Sequence, residues 1–311
     1  MQGGFIPNYQ FKRTNNMPHN IPTVHIQKHT RGISDTKRTE VANLQKYIQE
    51  LLGDTHHTFL QGSYANDTST SDINDVDIVA IRKTTYSSVH TGLSFPTSIP
   101  WETIFSEIET KLKNQNRYTW TVERSEGGKC IEVRTSGFKA DVVPAVQINE
   151  DVKSDPIAIY SFKTGIEKVN RPRTHIENGV AKHNATNQNY KPIVRMFKNW
   201  VKNHFDNTDI ISSYQVESLV YNTPNENFHN DHAYSFLFVG NHIAELLSQR
   251  DILPIKINSV CGTDDITTNW NIVARQSFKN KLKESVSHGL SAYKATTIQE
   301  AQNYWDKTFN I

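Results

Sequence analysis

Two aspartates one residue apart, Asp75 and Asp77, lead into the apolar run Ile78-Val79-Ala80-Ile81, and a third, Asp141, stands within Ala140-Asp141-Val142-Val143. Alternate residues of an extended strand share a face, so Asp75 and Asp77 project together while Val76 and Ile78 turn toward a core. Two carboxylates on one face repel each other unless a cation lies between them. Magnesium favours carboxylate and phosphate oxygens, with manganese able to substitute. Two such ions about 4 Å apart can activate an attacking hydroxyl and stabilise a departing pyrophosphate. Asp141, from a second strand, is the candidate third metal carboxylate and the acceptor of the hydroxyl proton. Upstream, Gly62 permits close backbone approach, and Ser63 offers a hydroxyl and an N–H to a triphosphate. A helix starting after Ser63 would add its N-terminal dipole. A D-x-D pair alone is a weak signal, because polar turns often end in aspartates as a strand begins. Gly-Ser upstream and an aspartate in a second apolar strand make the catalytic reading the stronger one.

These residues need strands to hold them. Ser34 and Asp35 can cap a helix in which Val41, Leu44, Ile48, Leu51 and Leu52 recur at helical spacing, closed by Gly53. Thr58-Phe59-Leu60 reads as a strand running into Gln61-Gly62-Ser63, and Val76 to Ile81 as a buried strand. A helix follows from Trp101 to about Leu112. Tyr118–Arg124 and Cys130–Arg134 flank Gly127-Gly128 as a hairpin, and Phe138 to Val146 makes a further strand. From residue 160 onward the character is mainly helical, with Ile193, Phe197, Trp200 and Val201 on one helix and Tyr214 to Tyr221 on another. Residues 233–248 and 277–293 suggest two more. The expected fold is α+β: a mixed sheet with flanking helices, then a helical half packed against it. The division is an arm over 1–30, read as extended and packed on the body, a catalytic core over 31–160 and a helical domain over 161–311.

The apolar fraction of 36% and charged fraction of 21% suit a globular chain and exclude collagen-like and coiled-coil classes. No stretch approaches the roughly 20 apolar residues of a membrane span. The two cysteines, Cys130 and Cys261, make neither a disulfide framework nor a four-ligand zinc site, having no partners at metal-ligand spacing, which fits a reducing cytosol. The first twenty residues lack the apolar segment of a signal peptide, so a cytoplasmic location is expected. A net charge of +2 is near neutral. Extended nucleic-acid grooves carry a clear basic excess, whereas a nucleotide needs only a few local cations.

Gly62-Ser63 with Asp75-x-Asp77 and Asp141 resembles the pattern of the DNA polymerase beta nucleotidyltransferase superfamily. More narrowly, QGSYANDTSTSDINDVDIVAI resembles the bacterial CD-NTases, relatives of cyclic GMP-AMP synthase and 2′-5′ oligoadenylate synthase. PIVRMFKNWVKNH (192–204) resembles the family helix whose lysine reaches the donor triphosphate, which implies that role for Lys198. SSYQVESLVYN resembles the segment in which a serine touches phosphate and a tyrosine stacks on a base, which implies Ser213 and Tyr214. AQNYWDKTFNI resembles the closing helix, and the similarity runs from about residue 33 to the C-terminus. The resemblance implies a polymerase-beta-like core with a C-terminal helical domain, ATP or other NTP substrates, and a cyclic di- or trinucleotide product. It further implies an antiphage signalling role (CBASS) with a separate effector that reads the product. The zinc-binding insert of animal cyclic GMP-AMP synthase has no counterpart, which argues against a double-stranded DNA activator.

Other features have plainer explanations. Lys191, Arg195, Lys198 and Lys202 form one helical stripe, for which a solvated basic face is the default; Lys198 is singled out by the resemblance alone. Tyr214 is either core or a base-stacking ring. Glu217 reads as a structural helix residue, His56-His57 and His229-x-x-His232 as ordinary surface or core histidines, and Asp264-Asp265 as a solvated turn. Two other functions stand beside cyclic-nucleotide synthesis: a linear RNA- or tRNA-tailing nucleotidyltransferase, and a nucleotide-binding regulator without catalysis.

Overall fold

The computed structural model describes residues 19–71, 75–90, 98–135, 137, 139–206 and 210–311. Part of the quoted central motif (72–74), residues 1–18 of the arm and Phe138 lie outside them.

The first helix, α1 (Thr23–Thr30), occupies a segment that sequence reading takes as extended. Lys28 and His29 end it favourably for the helix dipole. Its buried Ile26 packs in the core of the helical half, where tertiary contacts override a weak local signal. Helix α2 (Asp35–Leu52) begins at Ser34, whose side chain accepts from the Lys37 N–H, and buries Val41, Leu44, Ile48 and Leu52. Then come β1 (His56–Gln61), the single turn α3 (Gly62–Ala65) and the long β2 (Asp75–Tyr86). Helix α4 (Trp101–Lys113) precedes β3 (Thr121–Arg124), β4 (Ile131–Arg134) and β5 (Lys139–Gln147). Two further strands, β6 (Ile157–Ser161) and β7 (Ile166–Asn170), carry the sheet past residue 160, where the sequence reads as helical. Ile166 and Val169 of β7 are exposed, so this edge hairpin has little of the apolar alternation that would announce it.

The sheet runs β1-β2-β5-β4-β3, with β6 on β5 and β7 on β6. Among the described strands only β2 and β5 pair in parallel, and their register sets Asp77 opposite Asp141 and Asp75 opposite Lys139. Side chains on registered partners share a face, so all four project from one side of the sheet. Val76, Ile78, Ala80, Ala140 and Val142 project from the other side into a core closed by α2 and α4. Beyond the aspartates, Val79 and Ile81 cluster with Ala145 and Ile157.

The helical half comprises α5 (Pro172–Ala185), α6 (Tyr190–His204), α7 (Ser213–Tyr221), α8 (His232–Arg250), α9 (Ile272–Lys294) and α10 (Ile298–Phe309). Its core holds Tyr190, Phe197, Trp200, Phe236, Phe278 and Trp305, all almost fully buried. Gly289 permits the close crossing of α8 and α9, since a Cβ there would run into Leu237. No described helix is long and apolar enough to cross a membrane.

Candidate active site

A cleft of about 670 Å³ lies where the aspartate face of the sheet meets α5, α6 and α7. Gly62, Ser63, Asp75 and Asp77 line it from the sheet side, and Lys198, Ser213 and Tyr214 from the helical side. Seven of the eight residues singled out by sequence thus surround one space. Asp141, the eighth, is registered beside Asp77.

Gly62 follows β1 directly at φ +68°, a left-handed conformation that favours glycine. A Cβ there would overlap the Asp77 carboxylate, so Gly62 is what allows β1 and β2 to meet at this point. The helix begins at Gly62 and makes one turn only, so its dipole adds less than a long helix would. Ser63 is held from behind: its carbonyl accepts from the N–H of Thr68 (2.9 Å) and Ser69 (3.2 Å), and its hydroxyl accepts from Ser69 Oγ at 2.7 Å.

Burial first, then Asp141 and Asp75, push the Asp77 carboxyl up from its ordinary 3.8 to about 6. This is the like-charge strain that a cation relieves. The donor chemistry fits a divalent ion: three acceptor-only carboxylates on one face, with Gly62 leaving room against Asp77. As placed, no group of three His, Cys, Asp or Glu among the described residues is arranged to hold an ion. Asp141 instead leans on Lys139, with Nζ 3.1 Å from Oδ1. Because the Cα positions are already in register, bringing Asp141 to the same point as Asp77 takes side-chain rotation rather than backbone movement.

The helical wall departs from the sequence reading. The basic stripe on α6 is largely buried rather than solvated; Lys202 alone of the four is exposed. Arg195 donates to the carbonyls of Thr30 (2.6 Å) and Asp67 (2.7 Å), tying α1 and the Asp67 turn to α6. Asp67 itself pairs with Arg38 and Arg195, with Lys191 3.9 Å away. Lys198, 7% exposed, donates to Thr68 Oγ1 at 3.0 Å and pairs with Glu217 at 3.3 Å. Ser213 opens α7, which a capping box of Ser212 and Gln215 starts. Tyr214 is not core: it is 41% exposed and donates its hydroxyl to Asp264 at 2.8 Å, with its ring centroid 5.7 Å from that of His175.

Sequence reasoning undervalued Glu217, His175, Asn66, Thr68 and Asp264. Glu217 is 3% exposed yet accepts four hydrogen bonds, from Asn66, Thr68, His175 and Lys198. Burial would raise its carboxyl, but Lys198 and the bonds from His175 and Thr68 hold it down at about 2. The signal was present in SSYQVESLVYN, where a glutamate stands amid apolar residues. Asp264 had no such signal. It reads as a polar turn, and only the folded chain lays it against Tyr214.

A Gly-Ser turn beside a strand bearing paired carboxylates, roofed by a helical half, is the arrangement of polymerase-beta-like nucleotidyltransferases. Residues 177–287 match the family of the cGAS/DncV-like nucleotidyltransferase C-terminal helical domain. A cyclic dipyrimidine nucleotide synthase, CdnE, of Cecembia lonarensis is 30% identical over 220 residues, covering 63% of this chain and 73% of that protein. The cyclic UMP-AMP synthase of Rhodothermus marinus is 33% identical over 187 residues, covering 55% of this chain and 64% of that protein. In fold, the Rhodothermus marinus CdnE c-UMP-AMP synthase solved with Apcpp and Upnpp superposes with a TM-score of 0.68. That match covers 85% of this chain and 96% of the other at 23% identity. Escherichia coli MS115-1 CdnC with ATP gives a TM-score of 0.71 over 94% of this chain and 98% of the other, at 15% identity. The chain belongs to the bacterial CD-NTases, the cGAS/DncV-like nucleotidyltransferase family.

Proposed function

We propose that this protein condenses nucleoside triphosphates into a cyclic di- or trinucleotide with release of pyrophosphate, in a magnesium-dependent reaction. The observation that carries the reading is the cleft itself, where Gly62, Ser63, Asp75, Asp77, Lys198, Ser213 and Tyr214 converge from segments far apart in the chain. Synthesis of cyclic nucleotides by similar proteins, named for UMP-AMP and for dipyrimidine products, supports it.

Magnesium bound by the aspartates would hold the triphosphate and lower the pKa of the attacking ribose hydroxyl. The chain's own residues do the rest. Asp75 and Asp77 supply oxygens from one strand. Asp141, released from Lys139, orients the attacking hydroxyl and draws off its proton. That oxygen forms a bond to the donor α-phosphorus as the bond to the bridging oxygen breaks and pyrophosphate departs. Ser63, Ser213 and Lys198 hold the donor phosphates, using backbone N–H, hydroxyl and ammonium donors. Tyr214, steadied by Asp264 at the mouth of the cleft, presents a ring face on which a base stacks. A second passage, with the linear intermediate reversed, closes the ring and releases a second pyrophosphate. The product is a diffusible signal for a separate effector, in keeping with an antiphage role in the cytoplasm.

Replacing Asp75 and Asp77 together by Ala tests the site. The expected result is complete loss of pyrophosphate release with a melting temperature at or above wild type, because two repelling carboxylates have been removed. Turnover retained in the double variant would remove these aspartates from the site.

A further inference from the structure

Glu217 presents a difficulty for a site that binds polyanions. It places a buried negative charge against the lysine that the phosphates need, and burying both ions carries a desolvation penalty. A carboxylate there lowers the net positive charge of the wall, so its contribution is not attraction of substrate. Its bonding pattern supplies another role. Oε1 accepts from Asn66 Nδ2 at 3.1 Å and from His175 Nε2 at 3.0 Å; Oε2 accepts from Thr68 Oγ1 at 2.9 Å and from Lys198 Nζ at 3.3 Å. All four directions of the carboxylate are used. The donors come from α5, from α6 and from the segment between Gly62-Ser63 and Asp75. Thr68 continues the chain, because its N–H and that of Ser69 hold the Ser63 carbonyl.

We infer that Glu217 is a positioning residue for nucleotidyl transfer: its carboxylate fixes Lys198 on one side and, through Thr68, Ser63 on the other, so that both meet one donor triphosphate. The inference rests on the function proposed above. A fully satisfied buried network is suited to this task, since it has one low-energy arrangement and its members move together or not at all. Lys198 on a flexible stem would otherwise sample many positions. Glu217 touches no reacting atom. It acts through Lys198 and Ser63, and its loss is felt as misplacement.

The test compares wild type, E217Q, T68V, K198A and E217Q/K198A. Pyrophosphate release is measured per folded protein, well below each melting temperature. Affinity for ATP with a methylene bridge between the α and β phosphorus atoms, with magnesium, is measured by calorimetry. T68V removes the hydroxyl that bonds Glu217 and Lys198, and so cuts the tie from the carboxylate to the backbone that holds Ser63, without leaving a charge unpaired; it covers the case in which E217Q folds poorly. E217Q and T68V are expected to lower kcat by about tenfold to a hundredfold, the scale on which small misplacements act. Their analogue affinity should fall as well, but by clearly less than kcat does, because Lys198 and Ser63 still reach the phosphates while no longer meeting the geometry that the transition state needs. In the K198A background E217Q should cause a clearly smaller loss than in wild type, the part carried through Thr68 to Ser63 alone, because the part carried through Lys198 is already gone. Wild-type kcat in E217Q with only a lowered melting temperature would overturn the positioning role. An equal loss in both backgrounds would also overturn it. Wild type that binds the analogue and releases no pyrophosphate would overturn the function on which the inference rests.

Discussion

Asp77 stands between two other carboxylates, Asp75 two residues earlier and Asp141 across the parallel strand pair. Its carboxyl is pushed up from 3.8 to about 6, by burial first and then by those neighbours. The folded protein therefore holds a proton on Asp77 over a pH window in which the unfolded chain has lost it. That contribution to stability is fully present below about pH 4 and is lost as pH rises through about 6, to a limit of about 3 kcal/mol. With divalent ions chelated, Asp77→Asn should resist urea better than wild type at pH 7, and the advantage should vanish as pH falls toward 4. Equal stability of the two proteins across that range would mean that the carboxylates do not repel as placed. These aspartates were legible in the sequence because strand alternation is a local rule, and D-x-D entering an apolar run states its own geometry. Glu217 was legible only as a glutamate amid apolar residues and Asp264 not at all, since what they do depends on partners far off in the chain: Asn66 and Thr68 about 150 residues before Glu217, and Tyr214 fifty before Asp264.

Helix α7 delivers three residues to the cleft, Ser213, Tyr214 and Glu217, and its start is fixed by local chemistry. Ser212 Oγ accepts from the Gln215 N–H at 3.2 Å, and Gln215 Oε1 accepts from the Ser212 N–H at 2.9 Å. Gln215 Nε2 also donates to the Ile266 carbonyl at 3.1 Å, which ties the loop bearing Asp264 to the same cap. Ser212→Ala should cost about 1 kcal/mol in chemical denaturation, the usual value for a lost N-cap. It should also raise the apparent KM for NTP more than it lowers kcat, because Ser213 and Tyr214 contact bound nucleotide throughout the reaction. An unchanged KM would show that packing of Val216, Leu219 and Val220 alone sets the register of α7. The elements themselves were readable where periodicity was strong, as in α2 and β2. Helix α1 and the hairpin β6–β7 were missed because α1 and β7 carry few apolar residues and the run Ile157-Ala158-Ile159-Tyr160 of β6 is too short to declare its period.

Across the whole molecule the two halves are joined at the catalytic segment itself. Arg195 reaches from α6 to the Asp67 carbonyl, Lys198 to Thr68, and Glu217 from α7 to Asn66 and Thr68. The chain between the Gly-Ser turn and the paired aspartates is therefore ordered by the helical half, and neither half has a complete site alone. With a net charge of +2 the molecule has no overall basic excess to draw in a long nucleic-acid primer. The α+β class and the helical second half followed from the order of periodic segments. Their join did not, because the basic stripe that makes it has the same spacing as a solvated face. The most direct test of cyclic-nucleotide synthesis is chromatography of the products formed from α-labelled NTPs and magnesium, before and after phosphatase. A labelled product with unchanged mobility after phosphatase, absent with Asp141→Asn, is the expected result. Labelled products that all shift mobility on phosphatase treatment, as linear chains with terminal phosphates must, would contradict it.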